Sequence, residues 1–97
     1  MDFIHYSNKI VLHGENGAVI AEVIFPEVYK DTVDVKRTFV DDSLRGQGVA
    51  GKLMQEVAAD LEDTGRKAKL SCTYAISWFK KHPELHDLLV NKEQKEG

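Results

Sequence analysis

A single cysteine, Cys72, excludes an intrachain disulfide and a cysteine-built zinc cluster. That economy fits a reducing compartment, so a cytoplasmic location is the expectation. No apolar run approaches the roughly 18 residues a membrane-spanning helix needs. Met1-Asp2-Phe3-Ile4-His5 lacks the basic-then-apolar opening of a secretory signal, and no membrane partner is expected. Nor is there a block of Lys and Arg: 13 basic residues against 16 acidic leave a net charge of −3, which argues against nucleic acid as a partner. His5, His13, His82 and His86 show no metal-ligand or triad spacing, so no metal is expected. Repeats, low-complexity stretches and internal linkers are absent as well.

What is present is 97 residues, 42% apolar and 30% charged, the make-up of one ordinary globular domain. The domain is expected to run over 1–91. Residues 92–97 are charged, lack apolar anchors and read as a disordered tail.

Lys9 to His13 reads as a strand, Gly14 to Gly17 as a turn, and Ala18 to Phe25 as a second strand, with Asn16-Gly17 supplying the positive-φ preference of a hairpin. Val19, Ala21, Val23 and Phe25 fall on one face, with Ile20, Glu22 and Ile24 on the other. Pro26 ends that strand, and Val28 to Asp31 reads as connecting chain. Thr32 to Val40 reads as a third strand with a flaw: simple alternation would place Arg37 with Val33 and Val35. A β-bulge that resets the phase accounts for this better than a solvent-facing cleft.

From Val49 the apolar residues recur at 49, 50, 53, 54, 57, 58 and 61, a helical stripe ending near Thr64 with Gly65 as its left-handed C-terminal residue. Lys67 to Ser71 reads as a strand parallel to the third, through a crossover. Thr73 is placed to cap a short helix carrying Ile76, Trp78 and Phe79. Pro83 then opens a second helix over Glu84 to Val90. The fold class is therefore α+β with a mixed sheet: three antiparallel strands, a helix, a parallel strand and C-terminal helices.

Between the third strand and the long helix lies Arg45-Gly46-Gln47-Gly48-Val49-Ala50-Gly51-Lys52. Its glycines let backbone N–H groups approach a ligand, and a helix N-terminus adds unpaired donors and the positive end of a dipole. Together these make a phosphate cradle, unless the glycines merely shape the turn. Three motifs overlap there. Gly46-x-Gly48-x-x-Gly51 is a dinucleotide fingerprint, but the acid expected about 20 residues on falls at Ser71-Cys72, where none stands. Gly46-x-x-x-x-Gly51-Lys52 is nearly a P-loop, but Leu53 takes the place of the magnesium-binding hydroxyl. Arg45, Gly48 and Ala50 satisfy the third pattern, Arg/Gln-x-x-Gly-x-Gly/Ala.

That third pattern, set between a bulged strand and an amphipathic helix, resembles the acyl-coenzyme A loop of the GNAT superfamily of N-acetyltransferases. Thr38-Phe39-Val40, Leu44 to Gly48, Cys72 and His82-Pro83-Glu84 together resemble small, single-domain GNAT-like proteins of about this length. The resemblance implies an acetyl-CoA-dependent N-acetyltransferase acting on an amine acceptor, with acetyl-CoA or coenzyme A as the ligand. It implies that Arg45, Gly46, Gln47, Gly48, Val49 and Ala50 hold the pyrophosphate, and that Thr38, Phe39 and Val40 pair their backbone with the pantetheine arm. Cys72 would carry an acetyl intermediate or act as a small buried apolar residue. Tyr74 would protonate the leaving thiolate or pack as an aromatic. Lys80 and Lys81 read as a solvated helix face rather than as adenosine-phosphate ligands. Full-size relatives use extra N-terminal helices around the acceptor, so here a homodimer or a protein partner is expected to complete that site. A catalytically weak coenzyme A-binding or regulatory module is the alternative.

Overall fold

The computed structural model describes residues 1–90; the expected tail over 92–97 lies outside them, as does residue 91. Two sheets share one core. The first orders its strands β1 (Ile4–His5), β2 (Lys9–His13), β3 (Val19–Ile24), β6 (Arg37–Val40), all neighbours antiparallel. The second orders β4 (Glu27–Tyr29), β5 (Thr32–Val35), β7 (Lys67–Leu70), with β5 and β7 parallel. Helix α1 spans Val49–Thr64 and α2 spans Thr73–Lys80. This is the mixed α+β class read from the sequence.

The division into two sheets arises at the flaw in the third strand. Lys36 N–H donates to Ile24 O at 2.9 Å, while Arg37 is the register partner of that same Ile24. Two residues therefore oppose one, which is a β-bulge. Val33 and Val35 are fully buried ahead of it. Beyond it Thr38 and Val40 sit opposite Val23 and Ala21, both buried. The core phase moves from odd to even positions, and Lys36 and Arg37 are both left outside. The expected bulge is present, and it also carries the chain from one sheet into the other.

Three sequence expectations are corrected. Glu27–Tyr29 is a strand rather than connecting chain: Asp34 N–H reaches back to Pro26 O at 2.9 Å, and Asp31, at φ 58°, turns the hairpin. Pro26 thus separates two strands instead of closing the sheet. A further short strand, Ile4–His5, borders β2. The N-cap of α2 is Cys72, not Thr73, and no side chain bonds its first turn. Finally, Pro83–Leu88 is a 3-10 turn rather than the start of an α-helix through Val90. Leu89 is extended, lies beside Ala68, and Val90 N–H bonds Ala68 O at 3.1 Å. Pairing with the sheet edge outweighs helix continuation there.

Helix α1 forms where the stripe predicts. Val49, Leu53, Met54, Val57, Ala58 and Leu61 are buried against Val23, Phe25, Val33, Val35 and Phe79. Each large side chain so buried stabilises the fold by roughly 1.5–3 kcal/mol. Gly65 closes the helix at φ 75° with its N–H on Leu61 O. Leu53 is fully buried, the packing reason that no hydroxyl stands at the P-loop position. No helix among the described residues is long and apolar enough to cross a membrane.

Candidate functional site

The loop into α1 is built by local chemistry. Asp41 caps a 3-10 turn at Asp42–Leu44, its Oδ2 accepting Ser43 N–H at 3.0 Å. The side-chain and backbone hydrogen bonds from Ser43 hold the Asp41 carboxyl below the ordinary carboxylate range. Gly46 and Gly48 then adopt φ 82° and 70°, and a Cβ at either would meet nothing within 4 Å. The glycines are thus required by left-handed backbone, while the space in front of them is open. Gln47 N–H is already engaged by Leu44 O at 3.2 Å. Gly48 is the N-cap of α1 and provides no side-chain cap, so the amides of Val49, Ala50 and Gly51 have no intrahelical acceptor.

The charges of α1 leave its dipole uncompensated. Its first turn holds no acid and its last turn no base, where favourable charges would each contribute about 0.3–1 kcal/mol. Arg45 stands beside this positive end, its guanidinium 2.8 Å from Asp42 Oδ1. Both side chains are more than four-fifths exposed, and such a pair contributes about 0–1 kcal/mol, so the arginine can exchange its partner for an arriving anion.

The second part of the site is the point where two strands separate. β5 and β7 pair as far as Val35 and Leu70. The amides of Ser71 and Cys72 then both donate to Val35 O, at 3.0 and 2.9 Å. Past that point β6 pairs with β3 alone, so the other edge of Thr38-Phe39-Val40 carries no strand among the described residues. Across the opening Thr38 Oγ1 and Cys72 Sγ meet at 3.4 Å, part-buried. Phe39 lies on the opposite face, beside Glu22, and Val40 packs against the core.

Tyr74, in the first turn of α2, projects its hydroxyl to 3.6 Å from where a Gly51 Cβ would lie, next to Trp78 Nε1 at the same distance. Burial pushes the Tyr74 phenol up, so it remains a proton donor at neutral pH. Trp78 and Phe79 are core residues, meeting edge-to-face at 5.0 Å, and His82 stacks on Trp78 at 3.7 Å. Lys80 and Lys81 are exposed. The structure therefore sets residues 45–50 around one helix end, joins Thr38 to Cys72, and places Tyr74 against the first turn of α1.

Two features escape the sequence reading. Gly51 is the seat of two aromatic edges, for which no local signal exists. Asp34 is buried and bonded to Ser71, and its only trace in the sequence is an acid between two valines.

These residues fit a pyrophosphate-bearing thioester. The helix end offers free amides without a built-in counter-charge, and the strand edge offers backbone groups beside a thiol and a hydroxyl. Known proteins resemble this chain in sequence and in fold. The sequence profile of the family described as GCN5-related N-acetyl-transferase matches residues 9–88. Protein NATD1 of Xenopus tropicalis is 33% identical over 63 residues, covering 65% of this chain. The chain spans 58% of the length of that curated relative. A solution structure from Staphylococcus aureus described as GCN5-like superposes with a TM-score of 0.74 at 27% identity, over 93% of this chain and 88% of that one. A GNAT-family acetyltransferase crystal structure from Staphylococcus aureus Mu50 has a TM-score of 0.56 at 14% identity, covering 64% of this chain and 39% of that one, a likeness of fold alone.

Proposed function

Because the chain belongs to the GCN5-related N-acetyl-transferase family, we propose that it transfers an acetyl group from acetyl-coenzyme A to an amine. The observation that carries this reading is the N-terminus of α1, cleared by two left-handed glycines and lacking any acid in its first turn. The amides of Gly48, Val49 and Ala50 hold the pyrophosphate, Arg45 neutralises a phosphate oxygen, and Gly46 and Gln47 shape the approach. The free edge of Thr38-Phe39-Val40 pairs with the pantetheine amides as a neighbouring strand would. Acetyl-coenzyme A supplies an activated thioester. The chain supplies its alignment, a backbone donor for the carbonyl oxygen, and in Tyr74 a protonated phenol for the departing sulfur.

A second reading routes the acetyl group through Cys72, and the Thr38 hydroxyl at 3.4 Å from its sulfur favours it. The Cys72 sulfur would form a bond to the acetyl carbon as the bond to the coenzyme A sulfur breaks, that sulfur taking up a proton. Attack by the amine would then free Cys72.

The test is a coenzyme A titration followed by NMR, with intact-mass analysis after acetyl-coenzyme A and assay of transfer to amines. Shifts confined to 38–50 with transfer support the proposal, and an adduct of one acetyl group on Cys72 supports the relay. Shifts without transfer to any amine indicate a coenzyme A-binding module. An absence of shifts defeats both.

A further inference from the structure

Among the described residues, one buried side-chain polar atom has no hydrogen-bond partner: Oδ1 of Asp34. Asp34 is 9% exposed, yet it stands between Val33 and Val35, whose side chains enter the core on the other face. Its register partner is Lys69, which shares its face by alternation along β7, but Oδ1 stays unpaired all the same. An unsatisfied buried carboxylate oxygen is costly, and folds rarely keep one without use.

Its other oxygen names the use. Asp34 Oδ2 accepts the Ser71 hydroxyl at 3.0 Å. Ser71 is itself exposed. With its proton committed inward, the lone pairs of Ser71 Oγ are left to accept from outside. The carboxylate behind it makes that oxygen a stronger acceptor for a positively charged donor.

The position also matters. Ser71 immediately precedes Cys72, and both amides share Val35 O where β5 and β7 part. Strand alternation sends Ser71 to the face of Asp34 and Cys72 to the face of Thr38. The pairs Asp34–Ser71 and Thr38–Cys72 therefore stand back to back at a single parting of the strands.

We infer that Ser71, backed by Asp34, receives the ammonium group of a primary amine acceptor. The inference rests on the acetyltransferase reading and deepens it by naming the acceptor's charge and its contact. Ser71 Oγ accepts an N–H from the ammonium, which releases one proton to solvent before its neutral nitrogen attacks the thioester carbonyl. Asp34 acts through Ser71 as a positioning residue, its negative charge favouring a cation over a neutral alcohol or an anion.

Steady-state acetyl transfer to a short lysine-containing peptide and to a simple alkylamine tests this. Asp34→Asn keeps the size and an acceptor for Ser71 but removes the charge. It should raise KM for the amine about tenfold, with kcat within about twofold and coenzyme A affinity unchanged. Ser71→Ala, its fold checked by circular dichroism, should do the same, and Ser71→Thr should restore the wild-type KM. Wild-type turnover with an unchanged amine KM in both Asp34→Asn and Ser71→Ala overturns the inference alone. So does a Ser71→Ala loss that Ser71→Thr fails to restore. Wild-type binding of coenzyme A with no transfer to either amine defeats the acetyltransferase reading and this inference with it.

Discussion

Thr38 Oγ1 lies 3.4 Å from Cys72 Sγ, joining two segments whose backbones have already parted. One of them belongs to the strand edge that would carry the cofactor arm, the other to the N-cap of α2. If this contact sets the sulfur in place, Thr38→Val should lower the rate of acetyl transfer about fivefold, the worth of one hydrogen bond. Cys72→Ser should abolish any acetyl adduct detected by intact mass. Unchanged turnover in Cys72→Ser would eliminate the cysteine relay and leave direct transfer.

Gly48 holds φ 70° at the N-cap of α1, in front of open space. Gly48→Val therefore costs stability through backbone strain rather than collision, about 1–2 kcal/mol. Circular dichroism should show a folded protein, while coenzyme A affinity by calorimetry should drop at least about tenfold as the cradle loses its shape. Wild-type affinity in that variant would count against the loop as the pyrophosphate grip.

Arg66 joins helix α1 to the link between β3 and β4. Its guanidinium is 2.8 Å from Asp60 and 5.8 Å from the Phe25 ring centroid, with 11% and 14% of the two ion-pair side chains exposed. Arg66→Ala leaves Asp60 poorly compensated and uncovers the ring, so a loss of about 2 kcal/mol is expected in urea denaturation. The exposed pair His5–Glu56 offers the contrast: His5→Ala should change stability by less than about 1 kcal/mol.

Asp41 predicts a pH dependence. Hydrogen bonds from Ser43 favour its charged form in the folded state, which lowers its titration below the unfolded value. The stabilisation is therefore fully present above the ordinary aspartate range and is lost as pH falls through the lower, folded-state value. Carboxyl-detected NMR should show Asp41 titrating below the ordinary aspartate range. The Asp41→Ala loop should lose that acid-limb dependence.

The sequence made the long helix, the bulge and the phosphate loop legible because each rests on local rules. The helical stripe from Val49, the broken alternation at Arg37 and the glycines before Val49 need no knowledge of distant residues. Glu27–Tyr29 was hidden because Pro26 suppresses the strand signal, and its pairing is decided by Asp34, eight residues beyond Pro26. The stretch after Pro83 reads as helical from its residues, but Leu89 instead lies beside Ala68, a contact made only once the sheet exists. Asp34 was the hardest to foresee. Alternation sends it to the polar face, and only the tertiary arrangement buries it there.

The extra residue opposite Ile24 makes this chain intolerant of miscounting at one place. Deleting either Lys36 or Arg37 would leave Thr38 and Val40 on the core face but remove the bulge, and with it the step that carries the chain from one sheet into the other. The strand would then run on beside β7, and the opening between Thr38 and Cys72 would be lost. The hairpin tip at Glu15 to Gly17, where the chain is exposed, can absorb a length change without such a loss. Among homologous sequences, spacing between Val35 and Thr38 is thus expected to be held constant where loop lengths elsewhere drift.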